Sequence, residues 1–217
     1  MNKKGKKIED ILIRANVCKE MSGYLIKDEY CFEDFNESLV NQTFILTIFK
    51  SDDECNPLGK IGEISLTYLD LDMDFKPFDV FDISNGEIAN LYPYVYDCDD
   101  DYFEKFGVDE LKDEFDSFSY NDFIYINSIY IDEKYQNLGI GSSIISHIRE
   151  IIFNLLKLKV KCIFLYARPQ YIDKDGEIEN NPDKDAQEKL IKFYEKCGFT
   201  RIQNTGYMYI NNDYTNE

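Results

Sequence analysis

The chain has 217 residues and a formal net charge of −18, from 42 acidic and 24 basic side chains. This length suits one domain, and a hydrophobic content of 44% excludes a largely disordered chain. So acidic a chain is predicted to bind neither nucleic acid nor an anionic membrane surface, because both are recognised mainly through Lys and Arg. Cationic partners are favoured instead.

Compartment and metal content are predicted from what the sequence lacks. No run approaches the roughly 20 apolar residues of a membrane helix, and the basic residues 1–7 are followed by Glu9 and Asp10 rather than by an apolar stretch. We therefore expect a cytoplasmic protein with no membrane partner. The six cysteines are scattered and form no CxxC pair, which predicts reduced thiols and no metal site.

The first half of the chain divides into a strand-rich part and an acidic part. Residues 8–13 fit either a short helix or a strand, whereas residues 41–50 and 60–71 predict two strands of an antiparallel hairpin. Residues 72–122 carry 16 acidic and 3 basic side chains. Apolar residues recur there at helical spacing, and Gly86 and Pro93 interrupt the pattern, so two short helices are predicted. The run of acidic residues 97–101 predicts a solvated loop.

The second half alternates strands and helices, the pattern of an α/β fold. Residues 123–131 and 161–167 predict strands on either side of a helix at 139–159, which makes one βαβ unit. A polar loop at 171–182 precedes a helix at 183–197, and Gly198 suits the left-handed end of that helix. Residues 199–202 and 206–210 predict two closing strands.

One motif, between the strand predicted at 123–131 and the helix that follows it, carries most of the chemical information. Its sequence is Gln136-Asn137-Leu138-Gly139-Ile140-Gly141-Ser142. Its glycines allow a tight turn and close approach of a ligand, and the helix start presents N–H groups that suit phosphates. The Gly-Lys-Ser/Thr of a nucleotide-triphosphate loop and the third glycine of a dinucleotide fingerprint are both missing. By itself the motif also fits a glycine-rich turn that holds no ligand.

Two segments of the sequence, in the order in which they occur, resemble motifs of the GNAT superfamily of N-acetyltransferases. Ile129-Tyr130-Ile131 with residues 136–141 is similar to its motif A, and residues 193–199 (FYEKCGF) are similar to its motif B. The resemblance implies a mixed, mostly antiparallel, splayed central sheet flanked by helices. The acidic helical segment would be an insertion before the fourth strand of a single domain spanning residues 1–217.

The resemblance also implies acetyl-CoA as the acyl donor. Main-chain N–H groups of Gln136, Asn137, Leu138, Gly139, Ile140 and Gly141 would hold the pyrophosphate, and Ser142 would add its hydroxyl. Strand residues Ile129, Tyr130 and Ile131 would lie along the pantetheine arm, with main-chain groups of the two isoleucines pairing with it.

Tyr194 is the predicted catalytic residue, because the family often has a tyrosine at this place near the sulfur of CoA. A phenol can stay neutral and then protonate the departing thiolate; packing is the alternative role. Family members often have a glutamate that acts as the general base on the strand that holds Ile129, but this chain has Tyr125 and Asn127 there. An Asp or Glu of the 72–122 segment could substitute, and the sequence does not single one out.

These observations predict an enzyme that transfers acetyl directly to a primary amine of a cationic small molecule or basic peptide. The alternative is a non-catalytic CoA-binding or protein-interaction module of the same fold. The sequence is also compatible with a homodimer. Arg168 fits either acceptor binding or a surface cap. His147 and Cys197 are predicted to be a surface residue and a packing residue.

Overall fold

The computed structural model describes residues 11–18, 23–26, 29–32, 41–52, 56–70, 77–82, 84–95, 122–160, 162–172 and 178–211. Its centre is a seven-stranded sheet with the strand order β1-β4-β5-β6-β7-β11-β10. The strands of this sheet are β1 (Ile11–Cys18), β4 (Asn41–Ser51), β5 (Pro57–Leu69), β6 (Phe123–Ile131), β7 (Cys162–Tyr166), β10 (Thr200–Arg201) and β11 (Tyr207–Asn211). All neighbours are antiparallel except β6 and β7, so the predicted mixed, mostly antiparallel sheet is confirmed.

Two smaller antiparallel pairs stand beside the main sheet. Strands β2 (Gly23–Ile26) and β3 (Glu29–Phe32) form one, and β8 (Gln170–Ile172) and β9 (Ile178–Asn180) form the other. The second pair corrects the prediction of an irregular loop at 171–182. Its strands have only three residues each, and their polar sequences carry no alternation that would have distinguished them from a loop.

The helices are α1 (Pro77–Asp82), α2 (Gly86–Val95), α3 (Ile140–Ser146), α4 (Ile148–Leu156) and α5 (Lys184–Lys196). The single helix predicted over 139–159 is therefore two helices. His147 stands between them with φ −110° and ψ 13°, outside helical geometry, and its exposed ring lies 2.8 Å from the carbonyl of Ser143. Among the helices that the structure describes, none is long and apolar enough to cross a membrane.

The acidic segment packs on the sheet through an apolar face. Helix α2 buries Ile88, Leu91, Tyr92 and Val95, the i, i+3, i+4, i+7 spacing of one helix stripe. These side chains join Phe81, Phe123 and Phe164 in one core, while the other core packs helices α3, α4 and α5 on strands of the same sheet. The two predicted helices are present, but Pro93 lies inside the last turn of α2 rather than ending it, and the 97–101 run lies outside the described residues.

The structure also distinguishes helix from strand near the N-terminus and shows where the helix predicted at 183–197 ends. Residues 11–18 form a strand, paired antiparallel with β4. Helix α5 begins after Asp183, whose side chain accepts a hydrogen bond from the N–H of Asp185, and ends before Gly198 at φ +97°. The left-handed geometry predicted for Gly198 is confirmed.

Candidate functional site

The two parallel strands separate after four residue pairs. Pairing between β6 and β7 covers Phe123–Ile126 against Cys162–Leu165, and the remaining residues of β6 pair only with β5 on the other side. Between the separated strands lies a cavity of about 880 Å³, which we call the cleft. It is lined by the second half of β6, the end of β7, the segment at 168–170 and one face of α5. The splayed sheet that the resemblance implied is therefore present.

A bulge in β6 begins this separation. Ser65 and Leu66 of β5 pair with Ser128 and Ile126, which leaves Asn127 as an extra residue on β6. Its side-chain amide donates to the hydroxyl oxygens of Thr67 at 2.9 Å and Ser65 at 3.3 Å. From the sequence, Asn127 is notable only as a position without a carboxylate, and no local signal marks it as a bulge.

The same asparagine connects the sheet to the acidic segment. The Asn85 amide donates to Asn127 Oδ1 at 3.1 Å, while Asn85 Oδ1 accepts from the N–H groups of Glu87 and Ile88 at 3.0 and 3.1 Å. Asn85 is thus the N-cap of α2 and fixes the first turn of that helix beside the bulge.

The turn after β6 is formed by residues that tolerate left-handed backbone. Asp132 caps a short 3-10 helix at Glu133–Tyr135, Asn137 has φ +59°, and Gly139 has φ +84° with no atom within 4 Å of the position that a Cβ would occupy. The backbone angle therefore favours glycine, and the space in front of it is open to a ligand.

The predicted binding residues divide into two groups. Ile129, Tyr130, Ile131 and Gln136 line the cleft, whereas Asn137, Leu138, Gly139, Ile140, Gly141 and Ser142 follow in the turn and the start of α3 and are not lining residues. The Gln136 N–H already donates to the carbonyl of Glu133 at 3.2 Å, and the Gln136 side chain donates to the carbonyl of Ile131 at 2.8 Å. Gln136 therefore stabilises the turn, and its N–H already has a partner.

The two sequence blocks meet in the structure. A Cβ on Gly141 would lie 3.8 Å from the ring of Phe193, and the Cys197 thiol lies 4.0 Å from the carbonyl of Ser142. Cys197 is buried, as predicted for a packing residue. Helix α5 thus supports the glycine turn directly.

Tyr194 lies in the wall of the cleft and is 8% exposed. Its ring packs on Phe193 and Phe199 at centroid distances of 5.2 and 5.8 Å. Burial, and to a smaller extent the nearby Cys197, raises the pKa of its hydroxyl above the ordinary 10.0, so the phenol keeps its proton at neutral pH. Tyr194 therefore both packs against neighbouring rings and lines the cleft.

One acidic side chain from the 72–122 segment reaches the cleft within the described residues. Glu87 lines it from the first turn of α2 and forms an ion pair with Arg168. The Tyr125 hydroxyl donates to Glu87 Oε2 at 3.2 Å. Burial first, and then the Glu87 charge, raises the pKa of Tyr125 above its ordinary value. Arg168 is therefore a partner of Glu87, and its guanidinium also lies 5.1 Å from the centroid of the Tyr166 ring.

No group of three or more His, Cys, Asp or Glu side chains that could hold a metal ion occurs in the described part of the chain. The charged residues of the cleft are of both signs: Glu87, Asp132 and Glu133 with Arg168 and Lys189. Within the described residues, this lining therefore has no large excess of negative charge.

One family model and several solved structures are similar to this chain. The family model described as "Acetyltransferase (GNAT) domain" matches residues 94–201, and no curated protein matches. Similar solved structures include a KacTA–DNA complex (12% identity, 93% of each chain, TM-score 0.39) and AtaT complexed with acetyl-methionyl-tRNAfMet (11% identity, 93% of this chain and 95% of that chain, TM-score 0.40). Another is AtaTR bound with AcCoA (12% identity, 80% of this chain and 68% of that chain, TM-score 0.35).

These comparisons correct one prediction. The exclusion of nucleic acid as a partner is wrong, because similar structures include complexes with DNA and with tRNA. The prediction rested on the net charge of −18, which is a sum over the whole chain, whereas binding depends on where the charges lie. The cationic small-molecule acceptor, which depended on the acidity of residues 72–122, is withdrawn as well.

Proposed function

We propose that this chain, which belongs to the GNAT superfamily of acetyltransferases, transfers an acetyl group from acetyl-CoA directly to an amine. The observation that carries the proposal is the separation of β6 and β7 after four pairs, with Tyr194 in the wall of the cleft so formed. A thioester donor and an amine acceptor can meet there with no covalent enzyme intermediate.

The residues present fit acetyl-CoA. A cleft of about 880 Å³ is large enough for the pantetheine arm, and residues 129–131 of β6 have no pairing partner on the cleft side. The open space in front of Gly139 admits phosphates to the N–H groups at the start of α3. Ile129, Tyr130 and Ile131 would hold the arm. Residues 137–141 would hold the pyrophosphate through main-chain N–H groups, with Ser142 adding its hydroxyl and Gln136 keeping the turn in shape.

Acetyl-CoA, when bound, supplies an activated acyl group with a thiolate as the leaving group. Tyr194 would donate its phenolic proton to the sulfur as the carbon–sulfur bond breaks. Its raised pKa keeps the proton in place beforehand. Because a thiol has a pKa of about 8.5, proton transfer to its thiolate from a weaker acid is uphill, so we expect the transfer to occur together with bond cleavage.

The test separates chemistry from binding. Purified protein is given acetyl-CoA with a panel of acceptors, namely glycinamide, spermidine, kanamycin, a basic peptide and total aminoacyl-tRNA, and free thiol is measured. Tyr194→Phe should lower kcat about 10²–10⁴-fold while CoA affinity, from calorimetry, stays within twofold. Tyr92→Phe, a buried tyrosine of the other core, is the matched control and should keep both.

Two results would contradict the proposal. If the wild-type protein binds CoA and releases no thiol with any acceptor, the chain is the non-catalytic CoA-binding module instead. If Tyr194→Phe keeps full turnover, Tyr194 is a packing residue and another group protonates the sulfur.

A further inference from the structure

A second cavity of about 560 Å³ lies against the cleft, and we call it the side cavity. The two cavities share three lining residues: Glu87, Tyr166 and Arg168. These side chains therefore belong to the lining of both cavities, and we call them the shared wall. A molecule in the side cavity and the reacting end of a molecule in the cleft would meet at this wall.

Contacts from both sides hold Glu87 in this wall. The Asn85 cap fixes its backbone N–H, and the Tyr207 hydroxyl donates to its carbonyl at 2.8 Å. Tyr125 and Arg168 hold its carboxylate, and the Glu87 side chain as a whole is 25% exposed. A carboxylate held by two side chains, on a backbone fixed by two more, and part of a side chain that is still accessible, is suited to receive a proton from a bound molecule.

The rest of the side cavity is polar with little negative charge. Amide side chains of Asn90, Gln187 and Asn204 line it, together with the rings of Tyr94 and Tyr207. Arg201 also lines it, but its guanidinium already pairs with Glu188 and with the carbonyl of Thr205. Glu87 is the one acidic residue in this lining within the described residues, against two arginines. Such a surface suits a hydrogen-bonding carrier and disfavours a polycation.

We propose that the side cavity receives the acceptor, an amine on a polar carrier that is not itself polycationic, and that the Glu87 carboxylate takes the proton from this amine. The proposal rests on the acetyl transfer proposed above and adds the acceptor site and the base to it. It also names one acidic residue of the 72–122 segment as the substitute base that the sequence allowed but did not single out.

The protons balance in this scheme. Glu87 accepts one proton from the ammonium, and the free nitrogen forms a bond to the acetyl carbon as the carbon–sulfur bond breaks. Tyr194 gives its proton to the sulfur and is restored by the second proton that leaves the nitrogen. Glu87 then releases its proton to water, so one acetamide, one thiol and one proton result from each turnover.

The first experiment compares Glu87→Gln with Glu63→Gln. Glu63 also forms an ion pair, with Lys60, and lines neither cavity. The probe is the panel acceptor with the highest kcat/KM. Glu87→Gln should lower kcat/KM for this acceptor about 10²–10⁴-fold at pH 7, with CoA affinity within twofold of the wild type. Because more of the amine is neutral at higher pH, the deficit should shrink between pH 7 and pH 9.5.

A merely structural role for Glu87 would give a deficit that is constant with pH, and that result would overturn the proposal. The proposal would also be overturned if the wild-type protein is active and Glu87→Gln has the same activity. An inactive wild-type protein, in contrast, would refute the acetyl transfer itself, so the two failures are distinguishable.

The second experiment fills the side cavity without touching Glu87. Asn90 is exposed on α2, so Asn90→Trp adds bulk at a position that tolerates it, and the equally exposed Asn154→Trp on α4 is the control. Asn90→Trp should raise the acceptor KM at least tenfold and leave CoA affinity unchanged. An unchanged acceptor KM would show that the acceptor binds elsewhere. Spermidine as the best panel acceptor would refute the class of carrier.

Discussion

The phosphate-binding role of the glycine turn can be tested by one pair of substitutions that differ only in charge. Gly139 has φ +84° and ψ −1°, a conformation that costs most side chains about 1–2 kcal/mol, and Asn and Asp adopt it most readily. No atom lies within 4 Å of the Cβ position, so neither side chain meets a steric clash. Gly139→Asn and Gly139→Asp should therefore fold with similar melting temperatures.

The magnitude follows from Coulomb's law. A carboxylate about 6 Å from a phosphate charge costs about 0.7 kcal/mol at a dielectric constant of 80 and about 2.8 kcal/mol at 20. Gly139 is exposed, so the lower part of this range applies, and two phosphate charges make about 2 kcal/mol. We expect Gly139→Asp to bind CoA about 30-fold more weakly than Gly139→Asn in calorimetry at low salt.

Salt provides the internal control. At about 1 M ionic strength the screening length falls to about 3 Å, so the ratio of the two dissociation constants should fall to a few-fold. Equal affinity of the two folded variants at low salt would refute the reasoning, because it would mean that no phosphate lies near this turn.

Three further predictions concern the scaffold around the site. Asn127→Ala should lower the free energy of unfolding by about 1–3 kcal/mol in urea titration, because Thr67 and Asn85 lose their partner; a loss below 0.5 kcal/mol would contradict this. Leu66→Ala, at a fully buried position, should cost about 2–5 kcal/mol in the same assay, whereas the exposed Leu58→Ala should cost little. Because burial raises the pKa of Tyr194 above 10.0, its contribution to stability is intact below pH 10 and is lost as the pH rises above that value; Tyr194→Phe should make melting less sensitive between pH 9 and pH 11 than the wild type, and an identical pH profile would contradict it.

The regular elements were predictable where one local pattern decides the structure. Strand β6 has the bounds Phe123–Ile131 expected from its apolar run, and helix α5 begins and ends next to the residues that cap it, Asp183 and Gly198. The glycine turn was likewise predictable, since Gly139 must adopt a backbone angle that few residues tolerate.

The site could be predicted only where it is local in sequence. The bulge at Asn127 depends on pairing with β5, which lies about 60 residues earlier, so nothing in its own neighbourhood signals it. Glu87 is one of 16 acidic residues in its segment. Only the packing of α2 on the sheet places that carboxylate in the cleft. The acidity of the segment as a whole led to the prediction of a cationic acceptor, which was wrong.

The short pairing between β6 and β7 also has a mechanical consequence. Within the described residues, four residue pairs are the only strand pairing between the four-stranded half of the sheet and the three-stranded half, so we expect this seam to act as a hinge. A ligand that spans the seam adds main-chain contacts across the two halves and disfavours their separation. We therefore expect bound CoA to slow amide hydrogen exchange at Ile124 and Ile163, on either side of the hinge, more than at Leu46 in the middle of β4.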